Sequence, residues 1–342
     1  MSVDLRSDIV ARPTPAMVQA MVAAAAEPPG FDLREDPTVA RLERLAAKTV
    51  AKEDALFCPT CMMANQIAIH LHCRPGENFI TEPTSHVLTS EAAATASLTG
   101  AMPRLVAGRL EAASVAAAIQ SGDALRSRTA MVLIENTHVS SGGQVMPYEV
   151  MQGIAEVADD HGIPVHLDGA RLFNAAVALG RPAVGLAATA TTVAFNLNKG
   201  LGAPLGALIA GPATLIKEAI RVRQMFGGGW RPAGIPAAAG IVALETGIER
   251  LAEDHANART LAEGLAALPG IHVDPAVVES NIVLVDIERD DLDAAKLVAD
   301  IAKDGVLVMP YGRNRIRCCT HRDITPEGIA CAVAAFTRAL QA

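Results

Sequence analysis

Short apolar runs that alternate with helical patterns constrain this chain more than any other feature. Residues 78–81, 103–106, 130–135, 163–167, 193–197 and 207–210 each read as a buried strand. Helical spacing fills the intervals, as in 111–120 and 147–160. Alternation of this kind predicts an α/β fold, with a mostly parallel sheet covered by helices on both faces. In such sheets ligands bind beyond the carboxyl ends of the strands. Asn136-Thr137-His138, Asp168 and Asn198-Lys199 each follow a strand, so three polar clusters are expected in one crevice.

The flanking segments divide the chain further. Residues 1–15 are polar and marked by Pro13 and Pro15, and read as an arm rather than an element. A helix is expected over 17–26. Glu35-Asp36-Pro37-Thr38 opens another, with Val39, Leu42, Leu45 and Ala46 at helical spacing, and a third covers 60–72. A long helical region spans 236–268. Strands near 282–286, 306–309 and 315–318 and a last helix from Pro326 then form a smaller α+β unit. The expected division is an N-terminal arm (1–15), a large domain (16–245) and a small C-terminal domain (246–342), in keeping with the chain's length.

Composition excludes some partners. The net charge is −8 and aromatics are 3% of residues, so neither a basic footprint nor a stacking surface for nucleic acid is expected. No apolar stretch is long enough for a membrane; residues 16–26 are the longest candidate. The first residues carry charge where a signal peptide needs an apolar run, so a cytoplasmic location is expected. With 51% hydrophobic residues but few aromatics, part of the apolar surface is expected between subunits of a homo-oligomer. The six cysteines are then reduced. Cys58-Pro59-Thr60-Cys61, with His70, His72 and Cys73 beyond it, invites a zinc or redox reading, but a zinc ribbon wants a second such pair. Two thiols in a turn that opens a helix is the better reading, and no metal site is expected.

The segment His166-Leu167-Asp168-Gly169-Ala170-Arg171 and the later Lys199 carry the chemistry. An aspartate leaves an apolar strand, an arginine follows it closely, and one lysine lies past the next strand. Pyridoxal 5'-phosphate needs these three groups: an amine to condense with its aldehyde, a carboxylate to keep the ring nitrogen protonated, and a guanidinium for an anionic oxygen or carboxylate. The bland alternative makes Asp168 a helix N-cap and Lys199 a surface lysine.

Ordered motifs along nearly the whole chain decide between them. Asp4-Leu5-Arg6-Ser7-Asp8, Arg12-Pro13-Thr14, Glu35-Asp36-Pro37-Thr38 and Met63-Ala64-Asn65-Gln66 come first. Glu135-Asn136-Thr137-His138, 166–174, Lys199-Gly200-Leu201-Gly202-Ala203-Pro204 and Gly227-Gly228-Gly229 with Arg231 follow. Glu253-Asp254-His255-Ala256-Asn257 and Thr320-His321 complete the set. In these the chain resembles the threonine aldolase family, within the beta-eliminating lyase group of pyridoxal-phosphate enzymes of fold type I. The resemblance implies an aminotransferase-like large domain, a small C-terminal domain, and homodimers or homotetramers with active sites at subunit interfaces.

It also implies roles. Lys199 carries the cofactor and Asp168 pairs with its ring nitrogen. Arg171 and Arg317, with Ser7, receive the substrate carboxylate. His86 stacks on the ring and is one candidate base, buttressed by Glu91; His138 is the second. The phosphate sits at the start of the helix after Thr60, where Cys61-Met62 replaces the family's usual Gly-Thr, leaving Thr60 as the nearby hydroxyl. Arg231 adds charge there, across a subunit interface. Leu33 stands where a tyrosine is usual, making the expected substrate pocket more apolar. Asn198 replaces a serine, and Ile9 and Ala11 replace two threonines of a cation site. The implied activity is retro-aldol cleavage of a β-hydroxy-α-amino acid to glycine and an aldehyde. β-Elimination of a 3-hydroxy amino acid on the same fold is the alternative, and a metal-binding module built on the cysteine–histidine cluster is a more distant one.

Overall fold

The computed structural model describes residues 2–341. Its centre is a seven-stranded sheet in the order Asp54–Cys58, Ala207–Gly211, Thr192–Asn196, Val165–Gly169, Thr129–Glu135, Asn78–Thr81, Met102–Leu105. Only Ala207–Gly211 runs against its neighbours. The mostly parallel α/β sheet expected from the apolar runs is therefore present. Helices cover both faces, so the central strands are apolar without alternation; every residue of Thr129–Glu135 is buried.

One strand escaped the sequence reading. Asp54–Cys58 pairs antiparallel with Ala207–Gly211. Its apolar part is short and stops at Pro59, and a run of that length does not separate strand from helix.

The helices begin where side chains can satisfy the free amides of a first turn. Asp36 Oδ1 accepts from the amides of Thr38 and Val39 at 2.9 and 3.1 Å, with Pro37 preset as the first helical residue of Pro37–Thr49. Thr60 Oγ1 accepts from Met63 N at 3.1 Å and caps Cys61–His72. The long helical region is two helices, Gly234–Thr246 and Leu251–Ala266.

A second sheet, in the order Met309–Pro310, Arg315–Cys319, Ile282–Ile287, Ile271–His272, builds the smaller unit with Ala294–Ala302 and Pro326–Gln341. Two expectations need correction. Residues 2–15 are not an arm without elements. Val3–Asp4 is a strand parallel to Val306–Leu307, and Val3 and Leu5 belong to the small core. The change from one core to the other also comes later than 245/246, inside the helix Leu251–Ala266: Leu251 packs in the large core, while Ala258, Leu261 and Leu265 pack in the small one. The apolar run 306–309 splits because Val306–Leu307 pairs with the N-terminus and Met309–Pro310 with Arg315–Cys319.

Candidate active site

Parallel register assembles the site. Glu135 lies opposite Asp168, and Asp168 opposite Ala194, at the carboxyl ends of three neighbouring strands. The strand-end clusters at Glu135–His138, Asp168 and Lys199 thus converge on one crevice.

Asp168 is buried. Its Oδ1 accepts from Ala170 N at 3.1 Å, and its Oδ2 accepts from Asn65 Nδ2 at 2.8 Å. The same Asn65 amide donates to Glu91 Oε1 at 3.1 Å, and Glu91 Oε1 meets His86 Nδ1 at 2.9 Å. Gln66 Nε2 holds the other Glu91 oxygen at 2.8 Å. Burial opposes protonation of His86, but the Glu91 hydrogen bond and the charges of Asp168 and Glu91 outweigh it and raise the imidazole pKa. Ligand atoms of His86, Glu91 and Asp168 lie within 4.8 Å of one another. The N–H donors of Asn65, Gln66 and Ala170 bond these carboxylates and join the cluster in one hydrogen-bonded network.

Lys199 sits in a turn closed by Gly202 N donating to Lys199 O at 2.8 Å. Gly202 has φ +76°, a left-handed conformation that favours glycine. Burial, then the charge of Arg171, lowers the Lys199 pKa; the acids Asp8 and Asp168 oppose this. A lowered pKa places more of the amine in its nucleophilic form.

The two arginines are held differently. Arg171 is buried, and its Nε and Nη2 donate to Asp8 at 2.8 and 2.7 Å. Two of its donors are thus committed to Asp8, which the sequence reading did not single out. Burial pushes the Asp8 carboxyl up, but Arg171 more than offsets it and the pKa falls to about 2. Asn281 Nδ2 also donates to Asp8 at 3.1 Å. Ser7, the neighbouring residue, caps Ile9 N at 3.4 Å. Arg317 donates from Nη2 to Arg6 O at 3.4 Å, and its buried Nε has no partner among the described residues. Arg317 therefore keeps capacity for an incoming anion, on a strand whose Cys319 N donates to Leu5 O beside Ser7.

Glu135, also missed, ties both histidines down. Its Oε2 accepts from His86 N at 2.8 Å and its Oε1 from Val139 N at 2.9 Å, next to His138. Burial, and then the charge of Asp168, raises its pKa to about 7. His138 Nε2 lies 3.4 Å from Glu82 and 4.0 Å from Glu135, and its Nδ1 lies 3.0 Å from Ser141 Oγ. Burial lowers the His138 pKa, so this imidazole is the more readily neutral of the two.

At the helix Cys61–His72, the amides of Cys61 and Met62 have no partner among the described residues. Thr60 Oγ1 already accepts from Met63 N, but its hydroxyl hydrogen remains free to donate. The Cys61 thiol is pushed well up by burial and stays neutral; Met62 is 39% exposed. A Cβ on Gly228 would overlap Met63, so the triple-glycine loop abuts this helix. Arg231 itself turns away, donating to Phe31 O at 2.8 Å. Leu33 O accepts from Arg223 Nη2 at 3.1 Å. Among the described residues of one chain, no hydrogen bond or ion pair joins Arg231 or Leu33 to Lys199, Asp168 or His86. Nor do the cysteines and histidines beyond Cys58 gather: His72 is bonded to Thr192 Oγ1 at 3.0 Å.

The residues present fit pyridoxal 5'-phosphate. A partly desolvated amine, a buried carboxylate beside it and two unpartnered amides at a helix start match its aldehyde, ring nitrogen and phosphate.

Comparison with known proteins agrees. Arabidopsis thaliana low-specificity L-threonine aldolase 1 is 39% identical over 347 residues, covering 99% of this chain and 96% of its own. The threonine aldolase of Leishmania major superposes with a TM-score of 0.84 at 21% identity, covering 99% of each chain. A serine palmitoyltransferase from S. paucimobilis, solved with PLP-myriocin bound, shares the fold with a TM-score of 0.78 at 19% identity, over 99% of this chain and 87% of that one. Residues 4–288 match the beta-eliminating lyase family over most of the chain, and with that relative alongside it, this chain belongs to the beta-eliminating lyase family, among its threonine aldolases.

Proposed function

We propose that this protein is a pyridoxal 5'-phosphate-dependent carbon–carbon lyase. It cleaves β-hydroxy-α-amino acids such as threonine, allo-threonine or phenylserine to glycine and an aldehyde. The observation that carries this reading is Asp168 and Lys199 at neighbouring strand ends, with a Glu91-bound imidazole beside them.

Bound to Lys199, the cofactor supplies an electron sink for the Cα–Cβ bond pair. The chain's residues do the rest. Asp168 would hold the ring nitrogen, and Lys199 would offer its amine. Arg317 and Ser7 bind the substrate carboxylate, while Arg171, neutralised by Asp8, supports them as a fixed dipole. Fixing the carboxylate sets the rotation about Cα, which decides the bond that breaks. His138, neutral and flanked by Glu82 and Glu135, can take the β-hydroxyl proton at Nε2; His86 is the alternative base and stacks on the ring.

A homodimer or homotetramer with shared sites would let Arg231 and Leu33 of one subunit serve the other's crevice; within one chain Arg231 is bonded to Phe31 O instead. A cytoplasmic location suits the free cysteines; no helix among the described residues is long and apolar enough to cross a membrane. The test incubates purified protein with a panel of β-hydroxy amino acids and assays glycine and aldehyde together. Equimolar glycine and aldehyde are expected; ammonia with a keto acid would replace cleavage by elimination. Because Leu33 removes a phenol, a higher kcat/KM for phenylserine than for threonine is expected, and a clear threonine preference would refute that part.

A further inference from the structure

Asp168 continues into a row of buried polar side chains that the cleavage step itself does not use. Asn65 Nδ2 donates to Asp168 and to Glu91. Asn65 Oδ1 lies 3.1 Å from His166 Nε2, His166 Nδ1 lies 2.9 Å from Thr192 Oγ1, and Thr192 Oγ1 lies 3.0 Å from His72 Nε2. Periodicity builds the row. His166 and Asp168 are two apart on one strand and share a sheet face; Asn65 and His72 are two turns apart on one helix. Thr192 is the register partner of His166 on the next strand.

The row admits one order of protons. Asn65 meets two carboxylates, so its amide nitrogen must face them and its oxygen must face His166. That oxygen only accepts, so His166 Nε2 carries the hydrogen. Burial and the neighbouring His72 push the His166 pKa down to about 3, and burial pushes His72 to about 4, so both are neutral. His166 Nδ1 is then an acceptor and receives the Thr192 hydroxyl hydrogen. Thr192 oxygen in turn receives the hydrogen on His72 Nε2. Every donor in the row meets an acceptor, with no group free to turn.

We propose that Asn65 and His166 are positioning residues for the cofactor: the one-way row from His72 fixes the Asn65 amide, and that amide locks the Asp168 carboxylate to the Glu91–His86 pair. The acid that meets the ring nitrogen and the imidazole that stacks on the ring are then one unit, set before the cofactor arrives. This rests on the assignment of Asp168 to the ring nitrogen.

The test compares wild type, His166→Phe and His166→Gln for PLP affinity and for the visible absorbance of bound PLP at fixed pH. Loss of one hydrogen bond to a group that holds a charge predicts about tenfold weaker PLP binding for H166F, with a shifted visible band. The H166Q amide can donate to Asn65 and accept from Thr192, so it restores both readouts. A merely structural role would lower the melting temperature of the cofactor-free protein and leave affinity and band unmoved. If H166F does not fold, Thr192→Val keeps the shape and removes the hydroxyl; the same direction is expected. Wild-type affinity and an unshifted band in the variant that folds would overturn the proposal. Failure of wild type to bind PLP would instead sink the functional reading on which it stands.

Discussion

Asp8→Asn keeps the side chain's shape and removes one charge from a fully buried pair. Asp8 takes two hydrogen bonds from Arg171, at 2.8 and 2.7 Å, and its pKa falls from 3.8 to about 2 despite complete burial. A drop of nearly two units corresponds to about 2.5 kcal/mol of stability at neutral pH. The folded-state value is the depressed one, so this contribution is full above the unfolded value of 3.8 and is lost as pH falls through about 2. The variant also leaves the Arg171 cation buried without a counter-charge, and breaking such a pair typically costs about 3–5 kcal/mol. These are two views of one loss, not two losses. We expect D8N to lose about 2.5–4 kcal/mol, a fall in Tm of roughly 3–6 °C for a chain of this length. Thermal and urea unfolding of the cofactor-free protein, followed by far-UV circular dichroism from pH 7 to pH 2, measures it. The gap between wild type and variant should hold down to about pH 4 and narrow below. A D8N protein within about 0.5 kcal/mol of wild type at pH 7 would refute the argument. Replacing both partners by D8N/R171M should recover part of the loss, because no lone charge is left behind.

Three further outcomes follow from the site. Glu91→Gln removes the charge that raises the His86 pKa, so His86 should titrate at lower pH by NMR, and an unmoved imidazole resonance would count against the pairing. Arg317→Ala should raise KM by about tenfold or more while kcat falls less, since it removes a charge-assisted contact to the substrate carboxylate; steady-state kinetics with threonine and phenylserine decides. Met62→Thr adds a hydroxyl where the helix start has two free amides, and PLP should bind several-fold tighter in a fluorescence titration; weaker binding would place the phosphate elsewhere.

The sheet was legible because its strands are buried on both faces and read as continuous apolar runs; residues 78–81 coincide with the observed strand Asn78–Thr81. Asp54–Cys58 was not, since its apolar part is too short to declare a period. The ends of the chain were misjudged for a different reason. Val3–Asp4 is too short to show alternation, and its strand partner lies at the far end of the sequence. Within the site, Asp168 and Lys199 stood out by type and place, and the resemblance added His86 and Glu91. Asn65, Glu135 and Asp8 did not, because a polar residue in a helix or at a strand end gives no sign of what it faces. Arg171 shows this most clearly: its type suggested an anionic partner, and nothing in the sequence told that Asp8, 163 residues away, also holds it. Leu33 and Arg231 were picked out by the resemblance alone.

The parallel pairing of Val3–Asp4 with Val306–Leu307 has a consequence for biosynthesis. Ser7 and Asp8 are translated long before the strand Val306–Leu307 that anchors their segment leaves the ribosome. Until then Arg171 lacks its counter-ion, so a nascent chain can form its central sheet while the substrate end of the crevice stays unfinished. Stalled or shortened transcripts of this gene should therefore yield protein without turnover, however well the sheet has formed.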